Sequence, residues 1–253
     1  MSSSESYELT DLDRSVYEWQ LDVPGFGEKG QAILRNSTAL VSRCGGLGGP
    51  VCFSLAAAGF GKIIIAHAGD LRLDDLNRQI LMQHDDVGSA RCESARKTLT
   101  AFNPNVEVEI VPENITEENA AGLVERSDIV FGAAPLFEER FLMNRECVRQ
   151  GRLLVDSAMY NLEGRIISIV PGESACLACL YPEIPPNWKR RFPVIGAVSA
   201  LAANIGAMEG IKLLTGLGTA NANRMIYFDS GTMRFQTIEL KRNPECKVCG
   251  DIS

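Results

Sequence analysis

Four of the eight cysteines form two Cys-x-x-Cys pairs, Cys176 with Cys179 and Cys246 with Cys249. Two such pairs that converge in space present four thiolates, a donor set that suits a tetrahedral Zn²⁺ ion. Four thiolates leave no open coordination position, so the metal's role would be structural. Gly172 and Pro244-Glu245 supply turn residues beside the two pairs. A metal closing the long loop between the pairs would add stability and tie the tail to the body. Four unrelated thiols, or a redox Cys-x-x-Cys, are the alternatives. Cys52 and Cys147 lie in apolar helical patterns and read as core residues.

A second constellation is Cys44-Gly45-Gly46-Leu47-Gly48. It follows the apolar run Thr38–Ser42 and precedes an apolar helix from about Val51 to Ala58. Between strand and helix, Gly45, Gly46 and Gly48 bring backbone N–H groups to a helix N-terminus, where an anion such as a nucleotide phosphate binds. Tight strand–helix packing also calls for glycine. A dinucleotide fingerprint places an acidic residue at the end of the second strand. That position here reads Ala66-His67-Ala68-Gly69, so an NAD-binding oxidoreductase is poorly supported. A helix N-terminus lowers a thiol pKa, which makes Cys44 a reactive candidate, with packing as the competing reading.

The elements that position these residues alternate. Strands are expected at Lys62 to His67, Val106 to Val111, Ser127 to Phe131 and Leu153 to Ser157, and helices at Gly88 to Phe102, Glu117 to Arg126 and Phe137 to Gln150. This is the pattern of a doubly wound, mostly parallel, Rossmann-like α/β sheet. Gly164 to Val170, Arg224 to Asp229 and Met233 to Leu240 add C-terminal antiparallel strands. Val194 to Thr215 is a long apolar helix with small residues, and Tyr181 to Pro193 reads as a mobile crossover. Met1 to Ser15 is polar and expected to be loosely held. Residues 1–37 form an N-terminal segment, and residues 38–253 form a single domain that carries both constellations.

Composition narrows the function. The chain has 253 residues, 45% hydrophobic and 23% charged, enough to bury a real core. A net charge of −7 and a pI near 5.0 argue against nucleic-acid and membrane-surface partners. No apolar run reads as a membrane span, and the polar start lacks the pattern of a signal peptide. A cytoplasmic, reducing location is the expectation.

Read in order, several motifs resemble the ThiF/MoeB/HesA family of E1-like, ubiquitin-activating-enzyme-like proteins. They are Gly-Gly-Leu-Gly after the first strand, Leu76-Asn77-Arg78-Gln79, Glu93-Ser94-Ala95-Arg96, Phe102-Asn103-Pro104, the paired Cys-x-x-Cys knuckles and Ala207 to Leu214. Gly69 to Met82 and Arg190 to Ser199 are most similar to the HesA branch, which is associated with nitrogen fixation and molybdenum or nitrogenase cofactor supply. The resemblance implies ATP and Mg²⁺ as cofactors, a homodimer, and adenylation of the C-terminal carboxylate of a ubiquitin-like sulfur-carrier protein. Carried over by residue, it implies nucleotide contacts from Gly45, Gly46, Gly48, Asp75, Arg78, Gln79 and Arg91, with Arg78 and Arg91 as the catalytic cations.

The chain also departs from the family pattern. Arg43 occupies the first glycine of the family's GxGGxG, where a side chain crowds a nucleotide. Arg91 replaces a lysine and Asp75 an asparagine. His67 and Gly69 replace the two ribose-binding aspartates, and Pro135 falls where the family has its magnesium-binding aspartate. Asp70, Asp74 and Asp156 are candidate replacements. Trp19 stands in place of an N-terminal arginine that reaches the partner subunit's ATP, and the crossover holds no cysteine. Two readings follow: an adenylyltransferase, or an E1-like scaffold that binds without ATP turnover.

Overall fold

The computed structural model describes residues 8–186, 188 and 192–251. Arg190 and Arg191 of the HesA-like motif lie outside them, as do the first seven residues. The described chain opens with helices α1 (Asp11–Val16), α2 (Glu18–Leu21) and α3 (Gly27–Asn36). A capping box starts α1: Thr10 Oγ1 accepts from the Asp13 amide at 3.1 Å, and Asp13 Oδ2 accepts from the Thr10 amide at 2.9 Å. Tyr17 is buried, and its hydroxyl accepts from Asn103 Nδ2 at 2.9 Å. From Thr10 onward, then, the expected loose segment is a docked helix.

The alternation runs β1 (Thr38–Ser42), α4 (Gly48–Ala58), β2 (Lys62–Ala66), α5 (Arg91–Phe102), β3 (Glu107–Val111), α6 (Ala120–Glu125), β4 (Ile129–Gly132), α7 (Phe137–Gln150) and β5 (Leu153–Tyr160). After it come β6 (Glu163–Ile169), α8 (Leu177–Leu180), α9 (Gly196–Thr215), β7 (Arg224–Asp229) and β8 (Arg234–Glu239). One eight-stranded sheet orders them β3-β2-β1-β4-β5-β6-β7-β8. β3 to β5 pair in parallel, and β6, β7 and β8 add antiparallel strands beyond β5.

Side chains alternate across a strand, so β1 feeds two cores. Ala39 and Val41 join Ile63, Ile65 and Phe131 beneath α4, α5 and α9. Leu40, Ile64 and Val130 meet Leu123 and Met143 of α6 and α7 on the other face. Because helices cover both faces, the central strands read as continuous apolar runs. β1 neighbours both β2 and β4, so the strand order reverses there and opens a crevice outside their carboxyl ends.

α9 corrects one expectation. By length and composition Gly196–Thr215 is long and apolar enough to cross a membrane. It packs instead on β4, β5 and β6. Two of its small residues, Gly206 and Gly210, face the chain's own sheet. A Cβ on Gly210 would lie 2.4 Å from the Phe131 ring, and one on Gly206 would lie 2.4 Å from Ser157 Oγ.

Candidate functional site

The glycine loop lies at the end of β1, beside the reversal in strand order. A Cβ on Gly48 would lie 1.7 Å from the Arg43 carbonyl oxygen, so that turn admits only glycine. A Cβ on Gly46 would press on Arg78 Cγ at 3.0 Å, and one on Gly45 would lie 3.7 Å from Gln79 Nε2. The turn carrying Arg78 and Gln79 therefore rests on the loop. It is braced from the far side by the start of α9, where a Cβ on Gly196 would lie 2.6 Å from the Asn77 carbonyl oxygen.

Asp75 organises the cations. Its Oδ2 accepts from Arg91 Nη2 at 2.6 Å and from the Arg72 amide at 3.1 Å, and its Oδ1 accepts from Arg78 Nη2 at 3.1 Å. Burial alone would raise this carboxyl. The hydrogen bonds from Arg91 and the Arg72 amide, with the charges of Arg91 and Arg78, hold it below its ordinary value. Arg78 Nη1 also reaches the Asp74 carbonyl at 2.6 Å. Among the sequence-derived site residues, the structure thus brings together Gly45, Gly46, Gly48, Asp75, Arg78, Gln79 and Arg91. Gln79 Oε1 and Arg91 Nε are buried with no partner among the described residues. Orphaned buried polar atoms are rare in a finished fold and common where a ligand completes it.

His67 has turned toward the loop. Its Nδ1 accepts from the Cys44 amide at 3.2 Å and lies 3.3 Å from Cys44 Sγ. An amide donor on Nδ1 leaves the proton of a neutral ring on Nε2. The Cys92 thiol donates to the His67 carbonyl at 2.9 Å. Cys44 is buried in the core, and the neighbouring Cys92 thiol and burial push its thiol well above its ordinary value.

Of the three candidate magnesium ligands, the exposed Asp70 alone keeps a carboxylate without a partner among the described residues. Pro135 offers a carbonyl, and that oxygen accepts from Trp188 Nε1 at 2.8 Å. Asp156, a candidate replacement ligand, is buried against Arg140, whose Nε donates to Oδ1 at 2.9 Å. Asp74, exposed, pairs with Arg72 at 2.9 Å. The Arg43 guanidinium reaches across to α7, with Nε and Nη2 at 2.9 and 2.6 Å from Glu139 Oε2. Sequence reasoning missed Glu139 and the Arg140–Asp156 pair. In α7 the run Phe137-Glu138-Glu139-Arg140 looks like a solvated turn, yet Glu139 and Arg140 are 4% and 2% exposed.

The four remaining cysteines meet elsewhere. The sulfurs of Cys176, Cys179, Cys246 and Cys249 all lie within 4.8 Å of one another. Three separations are 3.7 Å (Cys176–Cys246), 3.4 Å (Cys179–Cys249) and 4.0 Å (Cys176–Cys179). Tetrahedral bonds of about 2.3 Å put thiolate sulfurs about 3.8 Å apart, so the cluster could hold a metal ion. Gly172 turns left-handed beside it (φ 84°), and a Cβ on Gly250 would lie 2.4 Å from the Pro244 carbonyl oxygen. The turns expected at both knuckles are present.

Comparison with known proteins settles the lineage. The ThiF family model matches residues 17–248. The chain belongs to the ThiF family. HesA of Leptolyngbya boryana is 44% identical over 245 residues, 96% of this chain and 88% of that one. A sulfur carrier protein adenylyltransferase of Thermus thermophilus is 34% identical over 95% of this chain and 92% of its own length. Among solved structures, E. coli MccB superposes with a TM-score of 0.85 at 24% identity, over 98% of this chain and 77% of that chain. This last likeness is one of fold.

Proposed function

We propose that this ThiF-family chain activates a carboxylate with ATP, the acceptor being the C-terminal carboxylate of a ubiquitin-like sulfur-carrier protein. The observation that carries the reading is the cradle of Gly45, Gly46 and Gly48 against Arg78, Gln79 and Arg91, with buried Gln79 Oε1 and Arg91 Nε lacking partners among the described residues. In this reaction a carboxylate oxygen attacks the α-phosphorus, an acyl adenylate forms and pyrophosphate leaves. The loop N–H groups orient the phosphates. Arg78 and Arg91 then neutralise the charge that gathers on the departing pyrophosphate, an effect strongest in the transition state. The 34% identity to a sulfur carrier protein adenylyltransferase supports the acceptor class. The HesA likeness supports service in molybdenum or nitrogenase cofactor supply. We assign Zn²⁺ to the four thiols and infer a homodimer that covers Trp19, which is 89% exposed; light scattering at micromolar concentration would return a single-chain mass if that were wrong.

ATP–pyrophosphate exchange with candidate sulfur-carrier proteins tests the activity. Wild type should exchange, and Arg78→Ala should lose about tenfold to a hundredfold, the equivalent of about 1.4–2.8 kcal/mol of transition-state stabilisation. Background exchange in both, with ATP still bound, would favour the scaffold. That second reading draws on the buried carboxylates Asp75, Glu139 and Asp156, each already committed to a guanidinium.

A further inference from the structure

Around the carboxyl ends of the parallel strands, charge is distributed in an unusual way. The buried carboxylates described there are Asp75, Glu139 and Asp156, and each is held by arginine: Asp75 by Arg78 and Arg91, Glu139 by Arg43, Asp156 by Arg140. None presents an uncommitted oxygen pair to a hard cation, which wants several anionic oxygens at about 2.0–2.1 Å. Cations, by contrast, are plentiful. Arg43, Arg78 and Arg91 outnumber Asp75 and Glu139 at the paired groups, while Asp70, Arg72 and Asp74 lie exposed on the same loop.

Arg43 is the residue that spans the crevice. Its backbone is left-handed (φ 68°), a conformation that costs a non-glycine residue free energy and persists where the surroundings enforce it. From the end of β1 its side chain reaches the first turn of α7, on the far side of the reversal between β1 and β4. The grip there is one-sided. Nε and Nη2 share Glu139 Oε2, while Glu139 Oε1 meets no guanidinium nitrogen and Nη1 has no hydrogen bond among the described residues. Burial raises the Glu139 carboxyl and outweighs the hydrogen bond and charge of Arg43 and the Ile115 backbone hydrogen bond. Such a pair leaves a guanidinium edge available to an incoming anion at the point where an α/β sheet binds its ligand.

We propose that Arg43 supplies the fixed positive charge of the ligand crevice, so that a nucleoside triphosphate binds there as the free anion, without a divalent cation. This rests on the ATP-binding part of the proposed function and adds the residue and the metal independence. Glu139 positions the guanidinium and competes with the phosphate for it.

The test measures ATP affinity calorimetrically on the full chain, with magnesium withheld rather than chelated so that any thiol-bound metal stays in place. Wild-type Kd should change by less than about threefold on adding magnesium, a small step on the scale where tenfold is about 1.4 kcal/mol. Glu139→Gln, which releases Arg43, should bind metal-free ATP at least as tightly as wild type. Arg43→Gly with Glu139→Gln removes the cation without stranding a buried carboxylate, and glycine accepts the left-handed backbone without strain. This variant should fold and should bind metal-free ATP about tenfold or more weakly. Adding Pro135→Asp to it should make binding depend on magnesium. Wild-type binding that needs magnesium, or a double variant that binds like wild type, would overturn this inference alone. No ATP binding under either condition would overturn it together with the adenylation reading.

Discussion

Two buried ion pairs lie within one helical turn of each other and differ in how well they are satisfied. Arg140 donates to both oxygens of Asp156, and its guanidinium lies 4.6 Å from the centre of the Phe137 ring. The fork matches the carboxylate, and the negative face of the ring supports the cation. Arg43 meets a single oxygen of Glu139. The first arrangement is what a structural pair needs, and the second resembles a site awaiting another anion. Arg140→Met should therefore destabilise the chain by about 3–5 kcal/mol, because Asp156 is left charged and unpaired in the interior. Arg140→Met with Asp156→Leu should recover most of that loss. Urea unfolding of the two variants checks this, and equal losses would mean that Arg140 matters for its packing alone. At this scale the sequence was partly legible. The glycines were legible in their own short run, and Arg78 and Gln79 through the resemblance of the motif that carries them. Arg43 and Glu139 are separated by 96 positions, and nothing local to either announces the other.

Elements were more legible than partners, because periodicity is local and pairing is not. Phe137–Gln150 begins and ends where the apolar pattern and Gly151 place it, with Gly151 left-handed (φ 68°) as a helix stop. β5 runs on to Tyr160, beyond the expected end at Ser157, because β6 pairs with its whole length. That extension belongs to the neighbour and could not be read from β5. α9 shows the same limit, since its small residues do not say which surface they will meet. Its buried Glu209 accepts from the Asn221 amide at 2.7 Å and from Ser168 Oγ at 3.0 Å, and pairs with Lys212. One carboxylate thereby joins α9 to β6 and to the loop before β7. Burial alone would raise Glu209. Lys212 and the Asn221 donors hold it below its ordinary 4.5. A lowered carboxyl contributes stability above its unfolded pKa and loses it as pH falls through the folded one. Glu209→Gln should cost about 1–3 kcal/mol at neutral pH. It should also flatten the acid limb of the melting curve below pH 4.5. An acid limb as steep as wild type would assign the acid sensitivity to other carboxylates.

At the scale of the whole molecule, the eight-stranded sheet is anchored unevenly. Its centre is covered by helices on both faces, whereas every residue of β8 is exposed. What holds that edge is the hairpin with β7 and the thiol cluster that pins the tail beyond it. Cys176 and Cys179 follow β6, and Cys246 and Cys249 follow β8, so a metal among them closes a loop that contains α9, β7 and β8. Arg242 adds a protein bridge, donating to the Gly172 carbonyl at 2.8 Å. Burial pushes the Cys176 thiol up, a cost that a bound cation reverses by deprotonating its ligands. Metal analysis of protein purified under reducing conditions should find about one zinc per chain, as a four-thiolate site requires. Cys246→Ser should lose it and melt roughly 5 °C or more below wild type, since each kcal/mol moves the midpoint of a chain this size by about 2–4 °C. Hydrogen exchange should localise the loosening to β7, β8 and the tail, and leave the amides of β1 and β4 protected as before. ATP affinity should then change little, because the crevice is built on β1 and β4 rather than on the pinned edge. Wild type free of zinc with an unchanged midpoint would reduce the cluster to packed thiols. A variant that loosens β1 as much as β8 would mean that the staple holds the entire sheet and not its edge.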